Sequence, residues 1–227
     1  KTGNKQKTDV YFLFFYWKIT GFSCIFLFQT CDNIFISTKD RRERLDMNYV
    51  ITIARGFGSG GKYIGKELSK RLGIPCYDSK ILKIASNASG INENLFHQVD
   101  ERLRKNKFIK KLTQASKRDY VVGPTERQFT SDDNLYNIQR EIIEKLADTQ
   151  SCIIIGKCAN HILRERDNVI SVYIEAPRKD CVESIKNLLG VTDEEAHSMI
   201  QKTDKYRADY YEYYTRGEDW TNPVLYD

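Results

Sequence analysis

The sequence predicts an α/β fold built on a central parallel sheet, and three observations carry that prediction. An apolar run, Val50-Ile51-Thr52-Ile53-Ala54, leads through Arg55 into Gly56-Phe57-Gly58-Ser59-Gly60-Gly61-Lys62 and then into Ile64, Leu68 and Leu72 at helical spacing. After Gly73, placed as a helix-ending glycine, comes a short apolar segment, Ile74-Pro75-Cys76-Tyr77, and a further helical run starts at Lys80. Ser151-Cys152-Ile153-Ile154-Ile155-Gly156 shows no polar alternation, the mark of a strand covered on both faces. Strands separated by helices pair in parallel through right-handed crossovers, so ligands are expected at the strands' carboxyl ends.

The glycine-rich segment is the feature around which the rest is placed. Gly56, four residues, then Gly61 and Lys62 match the spacing of a Walker A loop, in which small residues let successive backbone N–H groups turn inward around phosphate. Four glycines in positions 56–61 cost backbone entropy and need a reason, which close backbone approach to an anion supplies. The helical run that follows puts the anion at a helix N-terminus, where the peptide dipoles are positive. The expected nucleotide-binding loop comprises Gly56, Gly58, Ser59, Gly60, Gly61, Lys62 and Tyr63, with Lys62 as its mobile cation. A glycine-rich turn that binds nothing is the alternative, and the strand–loop–helix setting weighs against it.

In 227 residues, 41% of them hydrophobic, one sizeable core with excursions is expected. The formal net charge of +5 suits anionic small substrates and falls short of a nucleic-acid-binding signature. Six cysteines include no Cys-x-x-Cys pair and no metal-like cluster with the three histidines. Reduced thiols in a cytoplasmic protein, and no protein-held metal site, are therefore expected.

Residues 1–46 differ from the rest. Val10 to Phe28 is nearly all apolar and aromatic, interrupted by Lys18, and follows a basic start from Lys1 to Lys7. Its length would span a membrane, yet no small-x-small cleavage site follows it as a signal peptide requires. The first residue is Lys, and Met47 stands directly before the first core strand. The expectation is a non-core leader over 1–46, non-native or a membrane anchor, with a folded extension as the third reading, followed by a core domain over 47–227.

Within that domain, residues 87–150 read as an all-helical excursion. Leu95, Val99 and Leu103 mark one helix; Leu135, Ile138, Ile142, Ile143 and Leu146 mark another, opened by Ser131-Asp132-Asp133. The basic run from Lys105 to Arg118 reads as a solvated helix face, and Gly123-Pro124 as the start of a surface loop. Val169 to Ala176 is the next strand, closed by Pro177, with a helix from Cys181 to Leu189 after it. Thr192-Asp193-Glu194-Glu195 is a capping box opening a long polar helix through Tyr211. Its tyrosines, Tyr206, Tyr210, Tyr211, Tyr213 and Tyr214, favour packing over base stacking. Asp78 and Ser79 follow one strand, and Lys157 another, which places them on the ligand side; a helix cap and a solvated lysine are the plainer readings.

Four stretches, taken in order, resemble the cytidylate kinase-like family of P-loop nucleoside monophosphate kinases from Met47 to the end. They are Ile51-Thr52-Ile53 with the loop to Lys62, Gly73 to Ser79, Ile153 to Asn160, and Lys202 to Tyr211. The resemblance implies a three-layer P-loop NTPase fold with a central parallel sheet, a helical monophosphate-binding insertion over 79–147 and a helical lid over 196–222. It also implies ATP and Mg²⁺, with nucleotides as partners. Asp78 and Ser79 resemble the pair beside the acceptor, Lys157 stands where the family carries an arginine, and Arg207 with Asp204 resembles the lid motif. Two departures accompany it. No serine or threonine follows Lys62, where Tyr63 and Ile64 stand instead. The chain stops at Val224-Leu225-Tyr226-Asp227 where the family continues with a strand and a helix, so an intact protein longer than this is expected.

The expected function is phosphoryl transfer from ATP·Mg²⁺ to a nucleoside monophosphate, CMP or dCMP first. Lys62, Arg207 and Lys157 would act on the transferring phosphate, and Asp78, Ser79, Lys157, Asp204 and Arg207 would hold the acceptor. The rival is a nucleotide-binding sensor of the same fold without transfer activity. A membrane-anchored basic protein is the third reading, and the oligomeric state stays open.

Overall fold

The computed structural model describes residues 48–98, 121, 123, 124, 126 and 128–227, and the backbone of 12–19 and 22–29. Six strands form one sheet: β1 (Phe12–Ile19), β2 (Phe22–Gln29), β3 (Val50–Arg55), β4 (Cys76–Tyr77), β5 (Cys152–Ile155) and β6 (Val169–Glu175), in the order β1-β2-β6-β3-β5-β4. The strands β6, β3, β5 and β4 are parallel, as the alternation of strands and helices predicts. Within the leader, β1 and β2 form an antiparallel hairpin, and β2 pairs antiparallel with the end of β6 through Ile25 to Glu175 and Phe26 to Ile174. Further back along the same edge of β6, Asp227 donates its N–H to the Ser171 carbonyl and accepts the Ser171 N–H on Oδ2.

The helices that accompany the sheet include α1 (Gly61–Leu72), α2 (Lys80–Ser89), α3 (Asp132–Thr149), α4 (Ala159–Ile162), α5 (Arg178–Leu189) and α6 (Asp193–Thr215). Each follows from local chemistry. Gly73 and Gly190 end α1 and α5 in the left-handed conformation, with their N–H groups returned to Ser69 and Lys186 carbonyls. Ser131 caps α3 by accepting the Asn134 N–H, and Thr192 with Glu195 completes a reciprocal capping box at α6. α5 starts at Arg178 rather than Cys181, because Pro177 fixes its own φ and the helix can begin directly after it. α6 runs on to Thr215, four residues past Tyr211, because Tyr213, Tyr214 and Thr215 are themselves buried. No helix among the described residues is long and apolar enough to cross a membrane. Val99, Leu103 and the basic run 105–118 lie outside the described residues.

The core forms on both faces of the sheet. On one face Ile51, Ile53, Ile153, Ile155, Val172 and Ile174 meet Ile64 and Leu68 of α1. On the other, Val50, Cys152 and Ile154 meet Ile81, Ile143, Ala147 and Leu163. All four residues of β5 are buried, as an unbroken apolar strand between two helical layers must be. A third cluster joins α3 to α6, with Tyr136 stacked on Tyr214 at a centroid distance of 3.8 Å. Tyr213 donates its hydroxyl to Asp133 and Tyr214 to the Asp132 carbonyl, so burial of these tyrosines leaves their oxygens bonded. Ile154→Ala removes a fully buried side chain from the central strand and is expected to cost about 2–5 kcal/mol in chemical denaturation.

Candidate functional site

The carboxyl ends of β3, β5 and β4 converge on one cleft of about 360 Å³. Arg55 and Lys62, at the two ends of the glycine loop, line it, and the loop itself lies beside it. The Gly56 N–H is bonded to the Ile174 carbonyl of β6, and the Ser59 hydroxyl donates 2.9 Å to the Gly56 carbonyl, which ties the loop back on itself. Gly58 has φ +86°, and a Cβ there would lie 2.7 Å from the Cys181 carbonyl oxygen, so no other residue fits. Gly60 precedes α1 without a side-chain cap, which leaves the first-turn N–H groups from Gly61 to Tyr63 without intrahelical partners. That arrangement is the cradle an anion needs. The Tyr63 side chain is 56% exposed and does not line the cleft, so only its backbone belongs to the loop.

Helix α6 grips this loop. Asp204 Oδ1 accepts the Phe57 N–H at 2.8 Å and an Arg207 Nη1 donor at 3.3 Å. The same Arg207 nitrogen donates 2.9 Å to the Arg55 carbonyl, and the guanidinium lies 5.6 Å from the centre of the Phe57 ring. Burial pushes the Asp204 carboxyl above the usual range, although the Phe57 N–H and Arg207 pull it down. Burial likewise lowers Arg207, against the attraction of Asp204. Burial and then the like charge of Arg207 bring Arg55 down to about 10, which still leaves it cationic at neutral pH.

Opposite the loop, Lys62 Nζ pairs with Asp78 Oδ2 at 2.8 Å. Burial would raise the Asp78 carboxyl, but the Lys62 ammonium, the Lys80 N–H and the Ser79 hydroxyl outweigh it and hold the group below the ordinary carboxylate range. Ser79 thus bonds to Asp78 and makes no side-chain cap for α2. Lys157 reaches the cleft through a left-handed turn: Gly156, Lys157 and Cys158 have φ values of 74°, 61° and 55° in succession. Left-handed backbone at a non-glycine residue costs about 1–2 kcal/mol, and strain of this kind gathers at functional sites.

The structure therefore brings Lys62, Asp78, Ser79, Lys157 and Arg207 to one cleft, with Asp204 bracing the loop behind it. Sequence reasoning assigned no role to Arg55, and for Tyr206 and Tyr210 it favoured packing over base stacking; all three line the cleft, with Trp220 and His97. The signal for Arg55 was a charged residue between a buried strand and the first loop glycine. For the aromatic wall there was none beyond the helical stripe, because one stripe supplies both core and cleft. A second cleft of about 390 Å³ lies around His161, Arg164 and Glu218, where Arg164 and Glu218 pair at 2.6 Å and satisfy one another. Among the described residues no group of three or more His, Cys, Asp or Glu could hold a metal ion.

A parallel sheet with a glycine loop at its carboxyl edge, a lysine at the start of the following helix and a helix closing over the loop defines the P-loop kinase class. The model of the cytidylate kinase-like family matches residues 50–227, and the chain belongs to that family. Among solved structures, an uncharacterized protein from Eubacterium ventriosum ATCC 27560 shares 24% identity at a TM-score of 0.54, over 79% of this chain and 85% of that one. A shikimate kinase from Bacteroides thetaiotaomicron shares 14% identity at a TM-score of 0.37, over 73% and 82% of the two chains. A gluconokinase from Sinorhizobium meliloti 1021 shares 12% at 0.37, over 69% and 75%. No curated protein matches the chain.

Two outcomes follow from the geometry. Gly58→Ala forces a Cβ onto the Cys181 carbonyl and is expected to cost about 1–3 kcal/mol of stability, read by thermal and chemical melting. Asp78 has its folded-state pKa depressed, so its pairing with Lys62 stabilises the fold above the unfolded pKa and is lost as pH falls through the folded one. The stability gap between the unmutated chain and Asp78→Asn should be constant above about pH 5 and shrink below about pH 4 in pH-resolved denaturation.

Proposed function

We propose that the chain transfers a phosphoryl group from ATP, with Mg²⁺, to a nucleoside monophosphate, with CMP or dCMP as the preferred acceptor. One observation carries this reading: the 2.8 Å pair between the loop's Lys62 and Asp78 at the end of β4 links the donor cradle to the acceptor side of a single cationic cleft. The left-handed glycines and the uncapped start of α1 fit a nucleotide triphosphate chain. Tyr206, Tyr210 and Trp220 offer flat faces for a base, and Asn160 and Thr203 offer polar groups at its edge.

Each residue has a separate task. The N–H groups of Gly61, Lys62 and Tyr63 bind donor phosphate oxygens, and Lys62 moves with the charge as it develops. Arg207 and Lys157 face that charge from the other walls of the cleft. Asp204 positions Arg207 and the loop rather than touching substrate. Bound with ATP, Mg²⁺ would supply charge neutralisation at the phosphates. Asp78, whose oxygens already hold Lys62, Ser79 and the Lys80 N–H, would face that ion only through water, since Asp204 is committed to Phe57 and no serine or threonine follows Lys62.

A second reading, a nucleotide sensor without transfer activity, is favoured by that missing hydroxyl and by the outward-facing Tyr63. A coupled ADP-release assay against the common monophosphates separates the two. Lys62→Ala is expected to lower ATP affinity and turnover together, since the lysine serves ground state and transition state alike. Asp78→Asn is expected to lower turnover about 10²- to 10³-fold while changing ATP affinity far less. Tight ATP binding without transfer to any monophosphate at any Mg²⁺ concentration would replace the kinase with the sensor.

A further inference from the structure

Arg55 has no task in the proposed reaction, yet its surroundings are shaped to hold it. It ends β3, one residue before Gly56. Its stem passes Gly61, where an added Cβ would lie 2.6 Å from Arg55 Cβ and 3.0 Å from its Cγ. Its guanidinium then crosses to the end of β5, where a Cβ on Gly156 would lie 2.2 Å from Nη1 and 3.2 Å from Cζ. The fold thus lacks a Cβ at both points where this side chain passes.

Among the described residues the Arg55 guanidinium makes no hydrogen bond and no ion pair. The two nearby carboxylates are committed elsewhere, Asp78 to Lys62 and Asp204 to the Phe57 N–H and Arg207. The half-buried guanidinium is partly withdrawn from water and stands beside the like charge of Arg207. Such a group is stabilised by an anion supplied from solution.

The direction in which Arg55 points separates two possible anions. The glycine loop leans towards β6: Gly56 bonds to Ile174, and Gly58 sits against Cys181 of α5. Arg55 turns the other way, across β5 to Gly156 and into the cleft shared with Lys157 and Asp78. We propose that Arg55 is the receptor for the acceptor's own phosphate monoester, on the β5 side of the cleft, while the loop and Lys62 serve the donor. The planar fork of a guanidinium matches two phosphate oxygens at once, and lysine supplies only a point charge. The site then selects nucleotides over nucleosides before any base is read. This assignment rests on the phosphoryl-transfer reading above.

The test is calorimetric titration of the full chain with ATP, with CMP, AMP, UMP and GMP, and with cytidine, for the unmutated protein, Arg55→Met and Arg55→Lys, alongside melting by circular dichroism. Arg55→Met is expected to weaken the preferred monophosphate about 10²-fold and Arg55→Lys about 10-fold. ATP affinity should stay within about threefold, and cytidine should bind all three proteins alike. Should Arg55→Met not fold, the Arg55→Lys comparison decides, because it keeps the charge and stem and loses only the fork. Unchanged monophosphate affinity in the variants, or a loss of ATP affinity of the same size, overturns the assignment and leaves the transfer reading standing. An unmutated chain that binds ATP but none of the monophosphates overturns both.

Discussion

The hydrogen bond from the Phe57 N–H to Asp204 is the interaction on which the site depends. It joins the loop after β3 to a helix 147 residues further along the chain and commits one loop N–H to the protein itself. Arg207, three residues on, lies on the same side of α6 and holds the Arg55 carbonyl at the base of the loop. The loop and α6 are thereby set in register. The arrangement has a cost, because Asp204 is drawn out of water far enough to raise its pKa despite two donors.

The aromatic residues of α6 serve two purposes through one helix. Tyr213 and Tyr214 face α3 and close the core between the two helices, with Tyr214 stacked on Tyr136. Tyr206 and Tyr210, a turn or two earlier, border the cleft and contact one another at 6.0 Å. A wall that continues into the core is rigid, so its shape is available to a ligand without an ordering cost. The same continuity explains why the helix outruns its polar character: tertiary burial carries it on to Thr215.

The cationic side of the cleft is assembled from separate strand ends. Arg55 comes from β3, Lys157 from the turn after β5 and Arg207 from α6, with Asp78 after β4 as the counter-charge on Lys62. The left-handed turn at 156–158 and the glycines at 61 and 156 are local concessions that bring these groups together. Like charges so placed repel in the absence of a ligand, and an anion of matching shape relieves them.

The sequence by itself determined the strands β3, β5 and β6, the loop with its lysine, the helix caps and the parallel order that places ligands at one edge. These rest on local rules: unbroken apolar runs, glycine spacing and the reciprocity of Thr192 with Glu195, all readable within a few residues. Lys62, Asp78, Lys157 and Arg207 were also legible, since each follows a strand end or belongs to a motif. Only the tertiary structure decided that Asp204 braces the loop rather than lining the cleft, that Tyr63 turns outward, and that Arg55 threads between two glycines. It alone divided the tyrosine stripe between core and site and set the hairpin of β1 and β2 against β6. The reason is physical: pairings across 147 residues between Asp204 and Phe57, or from Arg55 across to Gly156, depend on how helices and strands pack. No periodicity along the chain encodes the distance between them.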